Sequence, residues 1–206
     1  MPAKTIEASA PDALATATAC LRNDDLVVIP TDTVYGLAAH PDTPDGQAAV
    51  YTAKGRPSDK PLPLLIADAS VPEMMGATFP DAARRLANTF WPGPLTLVLE
   101  VGATSEGFRV PDHPFPRQLA AGCGGAIRVT SANRSDNPPA LNADEARSEL
   151  GNHVALIVDD GPAKGTVASS VVRVTHERLE VLREGAISMS SLMEVANPEG
   201  TTENPS

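Results

Sequence analysis

Leu26-Val27-Val28-Ile29-Pro30-Thr31-Asp32-Thr33 decides how the rest of the chain is read. A run of apolar residues, mostly β-branched, predicts a short strand buried on both faces. Pro30 stops it. Thr31 to Leu37 (TDTVYGL) then leaves the strand as a loop that runs from polar to apolar. The C-terminal end of a buried strand is where an α/β sheet takes small polar ligands, and hydroxyls suit that task. The same residues also make an ordinary capped turn. Taken alone they leave both readings open.

Outward from this strand, helices and strands mix without strict alternation. Ser9–Arg22 carries Leu14, Ala17 and Leu21 at helical spacing. Thr43-Pro44 opens a helix to about Lys54, and Gly55-Arg56-Pro57 breaks it. Strands are predicted over 62–67, 95–101, 108–110, 126–130 and 154–158, with a hairpin of 171–174 and 179–182. Helices are predicted over 81–89, 115–121 and from Asn142, where Glu145 completes a capping box. Ser188–Ala196 has the pattern of a last helix. The expected fold is α/β (α+β): an open, twisted, mixed sheet with flanking helices. The expected division is one domain over 1–190 and a disordered C-terminal tail over 191–206, whose end, 197–206, is polar and contains Pro and Gly.

Composition narrows the function classes. The chain has 206 residues, 42% hydrophobic and only 3% aromatic, so its core must be aliphatic. No apolar run reaches the length of a membrane span, and no secretory leader pattern opens the chain. Cys20 and Cys123 match no zinc spacing, and four scattered histidines offer no ligand pair. Two reduced thiols in a cytoplasmic protein are expected. The net charge of −10 argues against a broad nucleic-acid surface but leaves room for a local cationic pocket.

Such a pocket has candidates. Lys54, Arg56 and Lys60 crowd a loop fixed by Gly55, Pro57 and Pro61. Arg offers bidentate and Lys point-charge recognition of phosphate, although a basic helix end facing its own dipole looks similar. Thr130-Ser131-Ala132-Asn133 ends a strand with small hydrogen-bonding groups, and Ser169-Ser170 and Arg183 flank the hairpin. Each also reads as a surface turn. No GxxxxGK[ST] loop, strand-linked GxGxxG or GxSxG elbow is present. Read alone, these segments amount to an unassigned anion pocket.

Taken in order, they resemble the YrdC/TsaC family of threonylcarbamoyl-AMP synthases. The matching stretches are Pro30–Leu37, Lys54-x-Arg56-Pro57 with Lys60-Pro61-Leu62, Trp91-Pro92-Gly93-Pro94-Leu95-Thr96, Arg109-Val110-Pro111, Ser131-Ala132-Asn133, Ser169-Ser170-Val171-Val172 and Leu182-Arg183-x-Gly185. Each is weak alone; their shared order from residue 30 to 185 is specific.

The resemblance implies a concave, positive cavity and a nucleotidyl transfer. L-Threonine, bicarbonate (as CO2) and ATP give threonylcarbamoyl-AMP and pyrophosphate. A partner transferase then passes the threonylcarbamoyl group to tRNA, which this protein touches weakly or not at all. Mg²⁺ is expected to accompany ATP, with no protein-only metal cage. Carried over by motif, Lys54, Arg56, Ser131 and Asn133 are catalytic. Thr33, Arg109 and Ser169 hold threonine. Arg56, Lys60, Thr130, Ser131, Asn133 and Arg183 hold ATP. The chain departs from the family pattern at Asp32 (often Glu), Lys60 (often Asn), Leu65 (His in some long members), Leu141 (Thr in some) and Arg173 (often Asp). The alternatives are an RNA-binding module and a catalytically silent relative of the same fold. Intact Lys-x-Arg and Ser-x-Asn pairs argue against the silent relative.

Overall fold

The computed structural model describes residues 3–197. In chain order the elements are β1 (Lys4–Glu7), α1 (Ala13–Arg22), β2 (Val27–Ile29), β3 (Gly36–Ala39), α2 (Pro44–Lys54), β4 (Leu64–Ile66), α3 (Val71–Met74), α4 (Asp81–Phe90), β5 (Leu95–Val101), β6 (Thr104–Arg109), α5 (Pro114–Gly122), β7 (Ala126–Ser131), α6 (Ala143–Leu150), β8 (Leu156–Asp159), β9 (Ser170–Val174), β10 (Leu179–Arg183) and α7 (Met189–Ala196). All strands join one mixed sheet in the order β1-β8-β2-β3-β7-β4-β6-β5-β9-β10.

The two halves of this sheet are covered differently. Around β2, β3 and β8, both faces are buried. Val28, Leu37, Ala39 and Ile157 pack beneath α2 and α6. Val27, Ile29, Ala38, Leu156 and Val158 pack beneath α1 and α5. Double burial explains why these strands read as continuous apolar runs.

The half built from β4, β6, β5 and β9 is roofed by α4 and α7 on one face, while α5 reaches only β4 on the other. Leu64, Ile66, Leu95, Leu97, Leu99, Phe108, Val172 and Val174 form a core with Leu86 of α4 and Leu192 of α7. Strand alternation turns the intervening residues to the other face. There Leu65, Thr96, Val98, Ser105, Gly107, Arg109, Val171 and Arg173 line a cavity. The site is thus the uncovered face of half a sheet.

Several sequence expectations shift at this level. The segment read as a loop over 31–37 ends in strand β3, which pairs antiparallel with β2 and β7. Strand β6 begins at Thr104, ahead of the expected 108, because its polar residues alternate toward the open face. Helix α1 begins at Ala13, after a turn, and α5 begins at Pro114, with His113 as its N-cap. Helix α7 buries Leu192 and Ala196, and Arg85 donates to the Ala196 carbonyl. The packed domain therefore runs to Ala196 instead of ending at 190; residues 198–206 of the expected tail lie outside the described residues.

The cap at α6 forms with one partner shifted: Glu145 N donates to Asn142 Oδ1 at 2.8 Å, and the Glu145 carboxylate accepts from Leu141 N, one residue ahead of the N-cap, and from Asn142 Nδ2. Cys20 and Cys123 are both unpaired, and burial raises both thiols above their ordinary value. Among the described residues, no helix is long and apolar enough to cross a membrane.

Candidate active site

The cavity is about 400 Å³ in volume, within the range of small-molecule sites. Its polar wall comes from segments far apart in sequence: Thr31 and Thr33, Arg56, Thr96, Arg109, Thr130 and Ser131, Ser169 and Arg183. Of the residues expected to bind ligand, Thr33, Arg56, Arg109, Thr130, Ser131, Ser169 and Arg183 converge here.

The loop after β2 sets one end. Thr31 Oγ1 donates its single proton to Val34 O at 2.6 Å and accepts from Thr33 N at 3.1 Å. In the 3.1 Å contact between the two hydroxyls, Thr33 is therefore the donor. Arg109 Nη1 donates to Thr33 Oγ1 at 3.0 Å, so this hydroxyl has little left but acceptor capacity. Tyr35 is buried just beyond and ties the loop to the end of β8, donating to Gly161 O at 2.7 Å and accepting from Asp160 N. Burial pushes its phenol up to about 12, so it stays a neutral donor.

Arg109 is fixed on three sides. Nε donates to Gly93 O at 3.0 Å, Nη1 to Thr33, and Nη2 to Asp32 Oδ1 at 2.6 Å. The Trp-Pro-Gly-Pro turn presents that Gly93 carbonyl: its Trp91–Pro92 peptide is cis, and Trp91 Nε1 donates to Leu95 O. Burial lowers the Arg109 pKa and Asp32 opposes the shift.

Arg183 reaches the cavity from the end of β10. Nε and Nη2 both donate to Ser169 O, at 3.0 and 2.7 Å, and Nη2 also reaches Ser169 Oγ at 3.2 Å. Ser169 Oγ lies 3.0 Å from Thr96 Oγ1. Arg56 donates to the carbonyls of Lys60 and Pro61. Burial lowers the pKa of Arg183, and then Arg109 and Arg56 lower it further, which shows that the three cations share one field. Guanidiniums remain charged through such shifts. A cationic concavity inside an acidic chain attracts and holds anions.

Three expected contacts take a different form. Lys54 is buried behind the wall. Its Nζ donates to Ser131 O and Asn133 O at 2.5 Å each, with Asn133 Oδ1 at 3.5 Å. Burial and then Arg56 push its ammonium down to about 8, while Glu149 pulls it back up. Asn133 Nδ2 donates to Arg134 O and Asn137 O, so this amide is consumed in holding its own loop. Neither residue lines the cavity. Lys60 stays exposed and contributes its carbonyl instead of its charge, because the loop turns its backbone toward Arg56 and Tyr51.

Sequence reasoning missed other participants. Asp32 is the partner of Arg109, Thr96 abuts Ser169, and Arg173 stands on the wall in an ion pair with Glu180. Glu149 anchors the Ser131–Asn137 loop by accepting from Arg134 N and Asn137 Nδ2. The period of two along β5 and β9 was the signal that could have placed Thr96 and Arg173.

The chain is similar to known proteins along most of its length. Residues 19–185 match the Sua5/YciO/YrdC family, described as telomere recombination. A Mycobacterium tuberculosis protein is 36% identical over 192 residues, 88% of each chain. The Bacillus subtilis threonylcarbamoyl-AMP synthase is 37% identical over 196 residues, covering 90% of this chain and 57% of the relative. The crystal structure of Pyrococcus abyssi Sua5 complexed with L-threonine superposes with a TM-score of 0.82 at 32% identity, over 88% of this chain and 56% of that one. This chain thus spans little more than half the length of the latter two proteins. By sequence along most of its length and by the fold that sequence takes, the chain belongs to the Sua5/YciO/YrdC family.

Proposed function

We propose that this cavity condenses L-threonine, bicarbonate (as CO2) and ATP into L-threonylcarbamoyl-AMP and pyrophosphate. One observation carries the reading: of the arginines that line the cavity, Arg109 and Arg173 are each ion-paired with a carboxylate, while Arg56 and Arg183 are bound only to neutral oxygens. That is a site for two unlike anions held side by side. The name of the Bacillus subtilis relative and the L-threonine bound by the Pyrococcus abyssi protein support it.

The chemistry asks for placement more than for proton transfer. The threonine amine adds to CO2 and loses a proton, giving a carbamate. A carbamate oxygen attacks the α-phosphorus, a new O–P bond forms, and the bond to the β-phosphate oxygen breaks. Its electron pair leaves with pyrophosphate. Such a step is accelerated by alignment and by cations set where charge accumulates.

In this reading Arg109, Thr33 and Ser169 hold threonine. Arg56, Arg183, Thr130 and Ser131 hold the nucleotide. Lys54 and Asn133 position the Ser131 loop from behind. The lining residues include no carboxylate, a donor set that suits Mg²⁺ carried on the phosphates and by water. The class is nucleotidyl transfer. The product passes in the cytoplasm to a threonylcarbamoyl transferase that modifies tRNA.

The test is direct. Protein supplied with ATP, bicarbonate and Mg²⁺ releases pyrophosphate only when L-threonine is added; release without threonine, or none with it, overturns the reading. Arg56→Ala lowers the rate by about a hundredfold or more while circular dichroism stays unchanged. A folded Arg56→Ala protein at the wild-type rate removes Arg56 from its role.

A further inference from the structure

Asp32 has no assigned part in this chemistry, yet among the described residues it is the only carboxylate in ion-pair contact with Arg56, Arg109 or Arg183, the fourth cavity arginine, Arg173, being paired with the half-exposed Glu180. Its side chain is 10% exposed and that of Arg109 7%. The pair is therefore shielded from solvent screening. A guanidinium has five N–H donors. Gly93, Thr33 and Asp32 take three of them, which leaves two. The Asp32 backbone is pinned as well. A Cβ on Gly165 would come within 3.0 Å of Asp32 O and 2.9 Å of Thr33 O, so the 160–168 loop presses directly on this turn.

We propose that Asp32 is a positioning and specificity residue that sorts the two anions of the cavity. By holding Arg109 in one plane and cancelling its charge, it reserves that end for the carboxylate of a zwitterionic amino acid. Such a ligand carries no net charge and is recognised by directed donors. A polyphosphate is drawn by net charge, and the cations left unneutralised are Arg56 and Arg183, which are bound only to neutral oxygens. Discrimination needs an unfavourable term as well as a favourable one. Here the Asp32 carboxylate beside Arg109 supplies it, by repelling phosphate from the amino-acid end. The inference rests on the synthase reading and deepens it.

The experiment compares wild type, Asp32→Asn and Asp32→Glu, each checked for fold by circular dichroism. L-Threonine binding is titrated calorimetrically with and without saturating inorganic pyrophosphate, and KM values for threonine and ATP are taken from steady-state rates. In wild type, pyrophosphate changes threonine affinity by less than about twofold. In Asp32→Asn, the KM for threonine rises about tenfold or more while that for ATP moves little, and pyrophosphate now competes with threonine. Asp32→Glu keeps the charge and keeps pyrophosphate out, even if threonine binds less well.

Competition in wild type or in folded Asp32→Glu overturns the proposal. So does a folded Asp32→Asn protein with unchanged threonine KM and no competition. If Asp32→Asn does not fold, the wild-type and Asp32→Glu titrations still decide. Loss of threonine-dependent turnover in wild type, with threonine still bound and pyrophosphate still excluded, removes the synthase reading and leaves the anion sorting standing. Threonine that does not bind wild type overturns both.

Discussion

Lys54 shows how a residue can act on a cavity at one remove. Its three N–H donors face the carbonyls of Ser131 and Asn133 and the Asn133 amide oxygen, an arrangement that needs the protonated form. The structure makes it a clamp on the loop that presents Ser131 to the cavity. Lys54→Met, which keeps the stem but not the donors, is expected to lower turnover by about a hundredfold with Arg56 and Arg183 untouched. The pH response separates its two effects. With its ammonium lowered from 10.5 to about 8, the folded chain binds fewer protons than the unfolded chain between those values. This group alone then makes stability rise with pH across that window, having opposed it fully below about 8. Activity moves the other way, falling as pH climbs through about 8 and the clamp loses its proton. Urea titrations and rate profiles read the two signs separately, and a pH–rate curve flat from 7 to about 9.5 would exclude a protonated clamp. None of this was visible in the sequence. The motif flagged Lys54 and Asn133 as chemistry-bearing, but their contacts join residues 77 and 79 positions apart, and no spacing rule reports whether a cation faces a ligand or a carbonyl. Asp32 was legible only as a shorter carboxylate for the same reason: Arg109 is 77 positions away.

At the scale of elements, the open sheet separates stability from function, one face for each. On the roofed face, α4 buries Ala83, Leu86 and Ala87 against β5 and α7. Leu86→Ala leaves a void costing about 2–5 kcal/mol. It should lower the melting temperature by several degrees and leave turnover near wild type when measured well below the transition. On the open face, Gly185 follows β10, and a Cβ there would sit 2.3 Å from Ala168 O and 2.5 Å from Ser169 C. Backbone cannot yield cheaply, so Gly185→Ala should displace Ser169 and the Arg183 fork and raise the threonine KM more than it lowers stability. A Gly185→Ala protein with wild-type kinetics would mean the hairpin does not set the site. Legibility followed the same division. Strand β5 was read to its observed limits because Leu95, Leu97 and Leu99 repeat on one face. Strand β3 was lost, since Gly36 and two alanines have weak strand preference. Burial on both faces makes the strand, and Gly36 itself is dictated by Val129 Cγ1, which lies 2.6 Å from where a Cβ would stand. The polar start of β6 was lost because its alternating residues face a cavity instead of a core.

For the whole molecule, the informative contrast is between a chain of net charge −10 and a cavity whose unneutralised side chains are cationic. Composition alone had argued against broad nucleic-acid binding, and the structure gathers Arg56, Arg109, Arg173 and Arg183 in one concavity. Salt should expose that clustering. Arg56 and Arg183 have no carboxylate in ion-pair contact among the described residues, so their attraction for a polyphosphate is largely Coulombic and weakens as ions screen it. Arg109 is already neutralised by Asp32 and shielded by burial, and threonine brings equal and opposite charges. Raising NaCl from about 0.05 to about 0.5 M shortens the screening distance from roughly 14 to roughly 4 Å. Over that range the Kd for pyrophosphate should rise by about an order of magnitude, while that for threonine should stay within about twofold. Calorimetric titrations of each ligand at matched salt check the difference. Equal salt slopes would mean that the cavity acts as one undivided pool of positive charge; a flat response for both would mean that the arginines recognise their ligands through hydrogen-bond direction alone.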